Sequence, residues 1–596
     1  MSTIRHNLLL GLLLLLAPLS TIAKPAAPQC KTVPGSPDWP SQETWARLNE
    51  STGGQLLQPT PPGAVCHPGQ ASYNADECRR VQTGWSTYEF HGEDPVSADW
   101  NQWNNDSCLP VPDFPCSSRG YPVFVINATT PEHVKLGVDF AREHNIRLIV
   151  KSSGHDFLGR STAANSLSIW LHHMQWIKPV DTFRPKNCDV TIDHAVTVGG
   201  GTQMFSIYQA TDKLNRTVVG GGAKTVSVGG FLTGGGHGLL APRYGLGADN
   251  VLEMQVVTPN GEIVTANECQ NTDLFWAMRG GGGSTFGVLT SVTIKTYPTP
   301  SITHVEFSVL TLDTENPALF AMIAYFLSQF PSLADAGLSG YAFFFQAIPN
   351  GGQSNLGGIT MTAILQDTNT TFAEQLFAPI FSHIDTTWPG IFYPAFKTTP
   401  YPTFLEWYKV NYDNSAAGTN SLTGSRLLGE PSLTGNLTLT AEVFKAFANV
   451  EAPVGGMGTA YLVSGKGVHN AVPRGGGNSV LPAWRKAYVH ATLVTASAFG
   501  VGFSPLNRTS RADAMKRINL ALDPMRKLAP DSGAYANEAT PEEPDWQNQF
   551  WGSNYQRLAQ IKRRVDPTDV FWCHPCVGNE GWQEVEDSNG GSLCRV

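Results

Sequence analysis

The chain has 596 residues, 41% hydrophobic and 15% charged, a globular composition that excludes a disordered or low-complexity protein. Its formal net charge of −9 excludes the basic surface that non-specific nucleic-acid binding requires, so no nucleic-acid partner is expected. Glycine is abundant at 59 residues, and its clustering carries more information than its number.

The N-terminus follows a secretory pattern. Arg5 and His6 precede the apolar run Leu8 to Leu16, and Thr21-Ile22-Ala23 offers short residues before a cleavage point. Residues 1–23 therefore read as a signal peptide, too short to span a bilayer, and no later stretch is of that kind. A secreted or vesicular protein with no membrane partner is expected. The ten cysteines (Cys30, Cys66, Cys78, Cys108, Cys116, Cys188, Cys269, Cys573, Cys576 and Cys594) all lie beyond it, an even set that reads as disulfides of open connectivity. Cys573-His574-Pro575-Cys576 has no second pair at zinc spacing, so no metal site is assigned. Sequons at Asn49, Asn105, Asn127, Asn215, Asn369, Asn436 and Asn507 permit N-glycosylation. Residues 24–118, rich in Pro, Trp, Asn and Cys and with little periodicity, read as a cysteine-containing arm packed on the body.

Regular structure is expected from Gly120 onward. Tyr121–Ile126 reads as a strand, and Thr130-Pro131-Glu132 opens a helix running to His144: a Thr cap, Pro at the first position, then an acid. The strand Ile146–Val150 completes an α/β unit. Lys151 to Thr162 then forms a turn of small residues with one imidazole, His155, before the strand Ser166–Leu171. On local grounds this is either a plain hairpin or an anion-binding nest of backbone N–H groups. A strand over Asp189–Val198 and a helix over 202–213 lead to the densest glycine region, Gly220 to Gly238. Pro259-Asn260-Gly261 joins Leu252–Val257 to Glu262–Ala266 as a hairpin. A short helix over Asp273–Met278, a third glycine loop from Arg279 to Gly287 and a strand over Val288–Ile294 follow. Residues 301–540 alternate strands (Ile302–Leu310, Gly358–Leu365, Tyr488–Val494) with helices (Pro317–Phe330, Phe372–Ile384), the pattern of an antiparallel sheet with helices in a second domain. Residues 541–596 hold a helix over 555–562 and a closing segment.

Three glycine loops in one α/β segment, residues 119–300, point to a ligand lying against backbone. Ala223 before Lys224-Thr225 breaks the P-loop pattern, and no G-x-G-x-x-G stands between strand and helix. Nucleophile-elbow and H-E-x-x-H patterns are absent. The ligand is a dinucleotide or similar cofactor reached by a less common route.

A resemblance narrows it. Ser153-Gly154-His155-Asp156 after a strand, the run Val228-Gly229-Gly230 to Gly236-His237-Gly238, Tyr244 to Asn250, and Leu274 to Gly282 resemble the vanillyl-alcohol-oxidase (PCMH) type of FAD-binding domain. Within that group, Asn554-Tyr555-Gln556-Arg557-Leu558 to Asp566-Pro567 is similar to the closing segment of berberine-bridge-enzyme-like oxidases, and the arm is similar to the fungal secreted branch often labelled isoamyl alcohol oxidases. The resemblance implies an α+β fold: a two-part PCMH-type FAD-binding domain, and a substrate (cap) domain with antiparallel sheet and helices. It implies an FAD-dependent oxidase, with dioxygen and a small-molecule alcohol as partners, working as a monomer. A secondary-metabolite oxidase or oxidative cyclase of the same family is the alternative.

Residue by residue, the resemblance makes His155 the covalent 8α-histidyl link to FAD. It sets Ser152, Ser153, Gly154, Asp156, Gly159, Arg160, Ser161 and Thr162 around the pyrophosphate. Gly221, Gly222, Gly229, Thr233, Gly234 and Gly238 line the flavin, Val264 and Val288 lie near the adenine or the sheet core, and Asn554 belongs to the closing segment. The position of the usual second-link cysteine is Ala223, so a single covalent bond is implied. Where relatives carry a Tyr-Tyr-Gly-like step, this chain has Phe550-Trp551-Gly552, without a phenol. Candidates for the catalytic base are His237, which follows three glycines, and Tyr488 and His490, which period-two alternation places on one face of a strand. Asp156 and Asp249 are expected to hold loops.

Overall fold

The computed structural model describes residues 29–351, 353–449, 457–497, 508–585 and 591–596. The segment 1–23, expected to be a signal peptide, and the sequon at Asn507 lie outside the described residues. Among the described residues, no helix is long and apolar enough to cross a membrane.

A four-stranded sheet forms first. Its order is Leu56–Leu57, Phe124–Asn127, Ser166–Trp170, Arg147–Lys151. The helix Pro131–Glu143 starts as its cap predicts: Thr130 Oγ1 accepts from His133 N at 3.3 Å, with Pro131 at the first position. One of the two local readings of the His155 segment is excluded here. The strands flanking His155 run parallel, Arg147 opposite Ser166 through Lys151 opposite Trp170, so the His155 segment is not a hairpin turn. The physical reason is burial. Ser166–Trp170 is buried at every position, the signature of a strand covered on both faces, and parallel strands need a long return link rather than a tight turn.

A five-stranded antiparallel sheet follows, ordered Ile177–Phe183, Ile192–Gly199, Val288–Lys295, Val251–Val257, Ile263–Asn267. The last two strands are the expected hairpin, with Gly261 at φ 82°. The third sheet has seven antiparallel strands in the order Tyr393–Tyr401, Ile302–Thr311, Gln353–Gln366, Leu338–Asn350, Met457–Leu462, Ala487–Ser497, Asn420–Gly429. Residues of Leu319–Ser328, Thr370–Thr387, Leu437–Ala448 and Arg508–Leu528 pack on one face in a single core with Phe344, Ala460 and Ala491. The helix expected over Pro317–Phe330 stands at Leu319–Ser328, and a second helix, Phe330–Asp335 with Pro331 in its first turn, follows it. The opposite face of this sheet closes on the five-stranded sheet and the glycine loops through the largest core.

The arm holds more regular structure than its composition suggested, including helices Gln42–Ser51, Ala75–Gly84 and Tyr88–Glu93, each with a side-chain cap. Residues 100–102 run beside Asn420–Gly429, the edge strand of the seven-stranded sheet. Trp100 bridges Thr419, Asn101 N donates to Thr419 O at 3.0 Å, and Ser421 N donates to Gln102 Oε1 at 3.2 Å. An open strand edge is thereby covered. The ten cysteines form five disulfides: Cys30–Cys594, Cys66–Cys78, Cys108–Cys116, Cys188–Cys269 and Cys573–Cys576. The first ties the arm to the C-terminus.

Candidate functional site

The strand Arg147–Lys151 delivers the chain to His155, with Gly154 at φ 97°, a backbone conformation open to glycine without strain. His155 Nε2 lies 2.7 Å from Thr225 Oγ1, on the second glycine region. Its Nδ1 lies 3.2 Å from Asp99 Oδ2, and the Tyr88 ring packs against it at 4.4 Å; both residues belong to the arm. Below, Lys151 is buried and donates to the carbonyls of His91 at 2.9 Å and Asp94 at 2.7 Å. Burial, then the positive charges of His91 and Lys151, push the His155 imidazole down to about 3. The ring is held neutral, the form in which imidazole is a nucleophile.

The surrounding loops fit a phosphate-bearing cofactor. Ser161 Oγ, Arg160 Nη1 and Ser227 Oγ are buried polar atoms without a hydrogen-bond partner, a donor set suited to an anionic group. Arg160 is held in place by Asp156 Oδ1, 3.0 Å from its Nε, and by Asn537 Oδ1, 3.0 Å from its Nη2. At Gly230 an added side chain would meet nothing within 4 Å. A Cβ at Gly222 would stand 3.2 Å from the Tyr341 hydroxyl, and one at Gly229 would stand 3.2 Å from Ser152 Oγ. Other glycines of the region serve close packing. A Cβ at Gly238 would lie 2.1 Å from Gly220 O, and one at Gly234 would lie 2.1 Å from Asn537 Nδ2. In the third loop Gly280 N and Gly282 N both donate to Thr233 O, at 3.0 and 2.9 Å. Trp551, where the sequence lacks a phenol, donates its indole N–H to Gly280 O at 3.0 Å. Val264 and Val288 sit within the five-stranded sheet, and Asn554 Nδ2 donates to Val480 O at 2.9 Å. Asp249 takes a loop-holding position, accepting from Leu246 N and pairing with Arg485.

A second cluster lies where the seven-stranded sheet meets these loops. Strand register aligns Tyr341, Tyr461 and His490 in one row across three strands. The row faces away from the helices: Tyr341 and Tyr461 pack on the largest core, while Ala342, Ala460 and Ala491 pack on the helical side. His490 is fully buried, and neither ring nitrogen has a hydrogen-bond partner. Its Nδ1 lies 3.5 Å from Glu538 Oε2, and Glu538 Oε1 lies 3.0 Å from His237 Nε2. The two imidazoles are 5.2 Å apart, and both adjoin the rings of Trp484 and Tyr535. Burial pushes the His490 imidazole down to about 3 against the pull of Glu538. Burial would raise Glu538, but the charge and hydrogen bond of His237 and the charge of His490 outweigh it and hold the carboxyl below the ordinary glutamate value.

Tyr488 does not join His490. Its hydroxyl reaches Asp335 at 3.4 Å and its ring packs on His469 at 4.7 Å. The cause is a bulge: Leu428 pairs with Val489 and Gly429 with Ala487, so Tyr488 is the extra residue and the two-residue alternation breaks there. Sequence reasoning missed Glu538, which stands in Ala534–Ala539 with no motif around it. It also missed Tyr88 and Asp99, whose arm gave no periodic signal.

Residues 122–267 match the FAD binding domain family, and residues 534–578 match the family described as berberine and berberine like. An FAD-linked oxidoreductase of Arthroderma benhamiae is 35% identical over 599 residues, covering 97% of each chain. The chain belongs to the berberine-like FAD-linked oxidoreductases. Another relative of this berberine-like chain, the bifunctional decalin synthase calF of Penicillium decumbens, is 30% identical over 604 residues, 98% of each chain. The crystal structure of the VAO-type flavoprotein MtVAO713 from Myceliophthora thermophila C1 is similar at a TM-score of 0.86 and 29% identity, covering 96% of this chain and 100% of that one. The berberine-like match ending at 578 includes Glu538, so one segment brings both the Asn537 contact to the glycine loops and the carboxylate between the histidines. As a berberine-like oxidoreductase the chain is an FAD-dependent enzyme acting on a small molecule.

Proposed function

We propose that this enzyme is a secreted oxidase that removes a hydride from an alcohol-type carbon, with FAD held covalently through His155 alone. Bound flavin supplies the hydride acceptor and is reoxidised by dioxygen with release of hydrogen peroxide. Ala223 supports the single link: its methyl is buried against Tyr88, Trp100 and Ala417, with no thiol to bond. The five disulfides and the exposed sequon residues Asn215, Asn369 and Asn436 support secretion.

The observation that carries the reading is Glu538 between two histidines, bonded to His237 Nε2 and 3.5 Å from His490 Nδ1, while His237 Nδ1 and both His490 nitrogens are buried without a hydrogen-bond partner. Glu538 accepts the His237 Nε2 proton, which leaves the Nδ1 lone pair to take the proton of a substrate hydroxyl. The carboxylate then stabilises the imidazolium that forms, the division of labour of a carboxylate–histidine pair. His490, neutral and unpaired, is a second hydrogen-bonding site for the same hydroxyl. The test is peroxide release on a panel of alcohols, sugars and polyketide-like phenols. Glu538→Gln is expected to lower kcat by roughly a hundredfold on the best substrate. An unchanged kcat would remove Glu538 from the mechanism. A second reading, an oxidase or oxidative cyclase of secondary metabolism, is favoured by the likeness to a decalin synthase; turnover confined to the polyketide-like members of the panel would select it.

A further inference from the structure

We propose that Asp99, contributed by the N-terminal arm, is the proton acceptor for covalent attachment of the flavin to His155. The proposal rests on the reading of His155 as the anchor. Asp99 is wholly buried, and neither carboxylate oxygen has a hydrogen-bond partner. A carboxyl group in that condition is costly, and the charge of the buried Lys151 offsets only part of the cost. Its position is nevertheless fixed from both sides: Asp99 N donates to Gly154 O at 3.3 Å, and Gly418 N donates to Asp99 O at 2.8 Å. The backbone thus clamps the residue between the His155 segment and the cap, with Oδ2 3.2 Å from His155 Nδ1. Lys151, the neighbouring cation, does not neutralise it by contact, because its ammonium donates to the carbonyls of His91, Gly92 and Asp94.

The reaction at this point has a clear need. A C–H bond of the flavin 8α-methyl and the N–H bond of the imidazole break, and a C–N bond forms. The electron pair passes to the flavin ring system and from there, with two protons, to dioxygen, giving hydrogen peroxide. The protons have to leave a pocket where His155 is neutral and cannot hold one. Burial raises the Asp99 carboxyl well above the ordinary aspartate value, against the pull of Lys151 and with Glu89 adding to the rise. Burial disfavours the charge on Asp99, so its carboxylate binds a proton more readily than an exposed aspartate would.

The experiment compares wild type, Asp99→Asn and His155→Ala as full-length proteins, scoring flavin that survives acid precipitation, the mass of the intact chain, and total flavin retained on gel filtration. The expected result is covalent flavin in the wild type and at least a tenfold loss of it in Asp99→Asn, with flavin still bound non-covalently. Wild-type levels of covalent flavin in Asp99→Asn would overturn the proposal and leave the anchor standing. Absence of covalent flavin in the wild type would instead overturn the anchor and the proposal together. If Asp99→Asn fails to fold, Asp99→Glu keeps the acid but displaces it. It is expected to couple added FAD at least tenfold more slowly than wild type, and an unchanged rate counts against Asp99.

Discussion

His155 is held by three unlike neighbours: a hydroxyl on the second glycine region, a carboxylate from the arm and the face of Tyr88. Replacing it should act on the cofactor before it acts on the fold. In His155→Ala, flavin is expected to be absent from acid-precipitated protein and at least tenfold reduced on gel filtration, while circular dichroism stays close to wild type. Flavin that still precipitates with the His155→Ala chain would move the anchor to another residue. The segment around this histidine was legible as a strand followed by a run of small residues with a lone imidazole. Its setting was not. Asp99 and Tyr88 lie in a stretch without periodicity, and only the folded arm brings them within reach of the ring. Glu538 was hidden for a related reason. A single acid between two alanine-rich turns has no spacing to announce it, and its partners His237 and His490 come from elements far away in the chain.

The strands and helices carried strong local signals, and most stand within a few residues of where their periodicity puts them. Two failures are instructive. The parallel pairing around His155 escaped notice because a wholly buried strand has no alternation to mark its direction or partner. Tyr488 was misplaced because a bulge adds one residue, and register arguments shift by a face for each insertion. Where alternation holds, it supports a quantitative prediction. Phe344 is fully buried between the sheet and Leu437–Ala448, with ring centroids 5.0 Å from Phe444 and 6.3 Å from Phe447. Across the strand pair it faces Gly458, where an added Cβ would stand 2.2 Å from Phe344 Cζ. Gly458→Ala should therefore destabilise by about 1–3 kcal/mol through overpacking. Combining it with Phe344→Leu should cost less than the sum of the two single changes, because the leucine vacates the space that the alanine needs. Urea denaturation of the four proteins measures the coupling, and strict additivity would mean that the sheet relaxes around the new methyl.

At the scale of the whole molecule, the arm joins both halves. It covers the edge of the seven-stranded sheet at residues 100–102, supplies two neighbours of His155, and is fastened to the C-terminus by Cys30–Cys594. Both junctions bury histidines away from water. His91 lies fully buried on the arm side, pushed down to about 4 by burial and by Lys151 against the hydrogen bond to Trp85 O. His490 lies on the cap side at about 3. Each has a folded pKa below its unfolded value of about 6.5. Between that value and the folded one the unfolded chain binds the proton and the folded chain does not, so stability falls as the pH drops through this window. The effect is at most about 1.4 kcal/mol per pH unit for each group. Glu538, held low, adds to the loss only below the ordinary glutamate range, while Asp94 and Asp99, raised by burial, work in the opposite direction. Comparison with a variant isolates one histidine from this sum. In His490→Gln the titrating group is gone, so the decline in unfolding free energy from pH 6.5 to 4.5 should be shallower than in wild type by up to about 1.4 kcal/mol per unit. Urea midpoints at three pH values in that range measure it. Parallel curves for the two proteins would mean that His490 takes up its proton in the folded state, and that the junction between cap and glycine loops admits water to it.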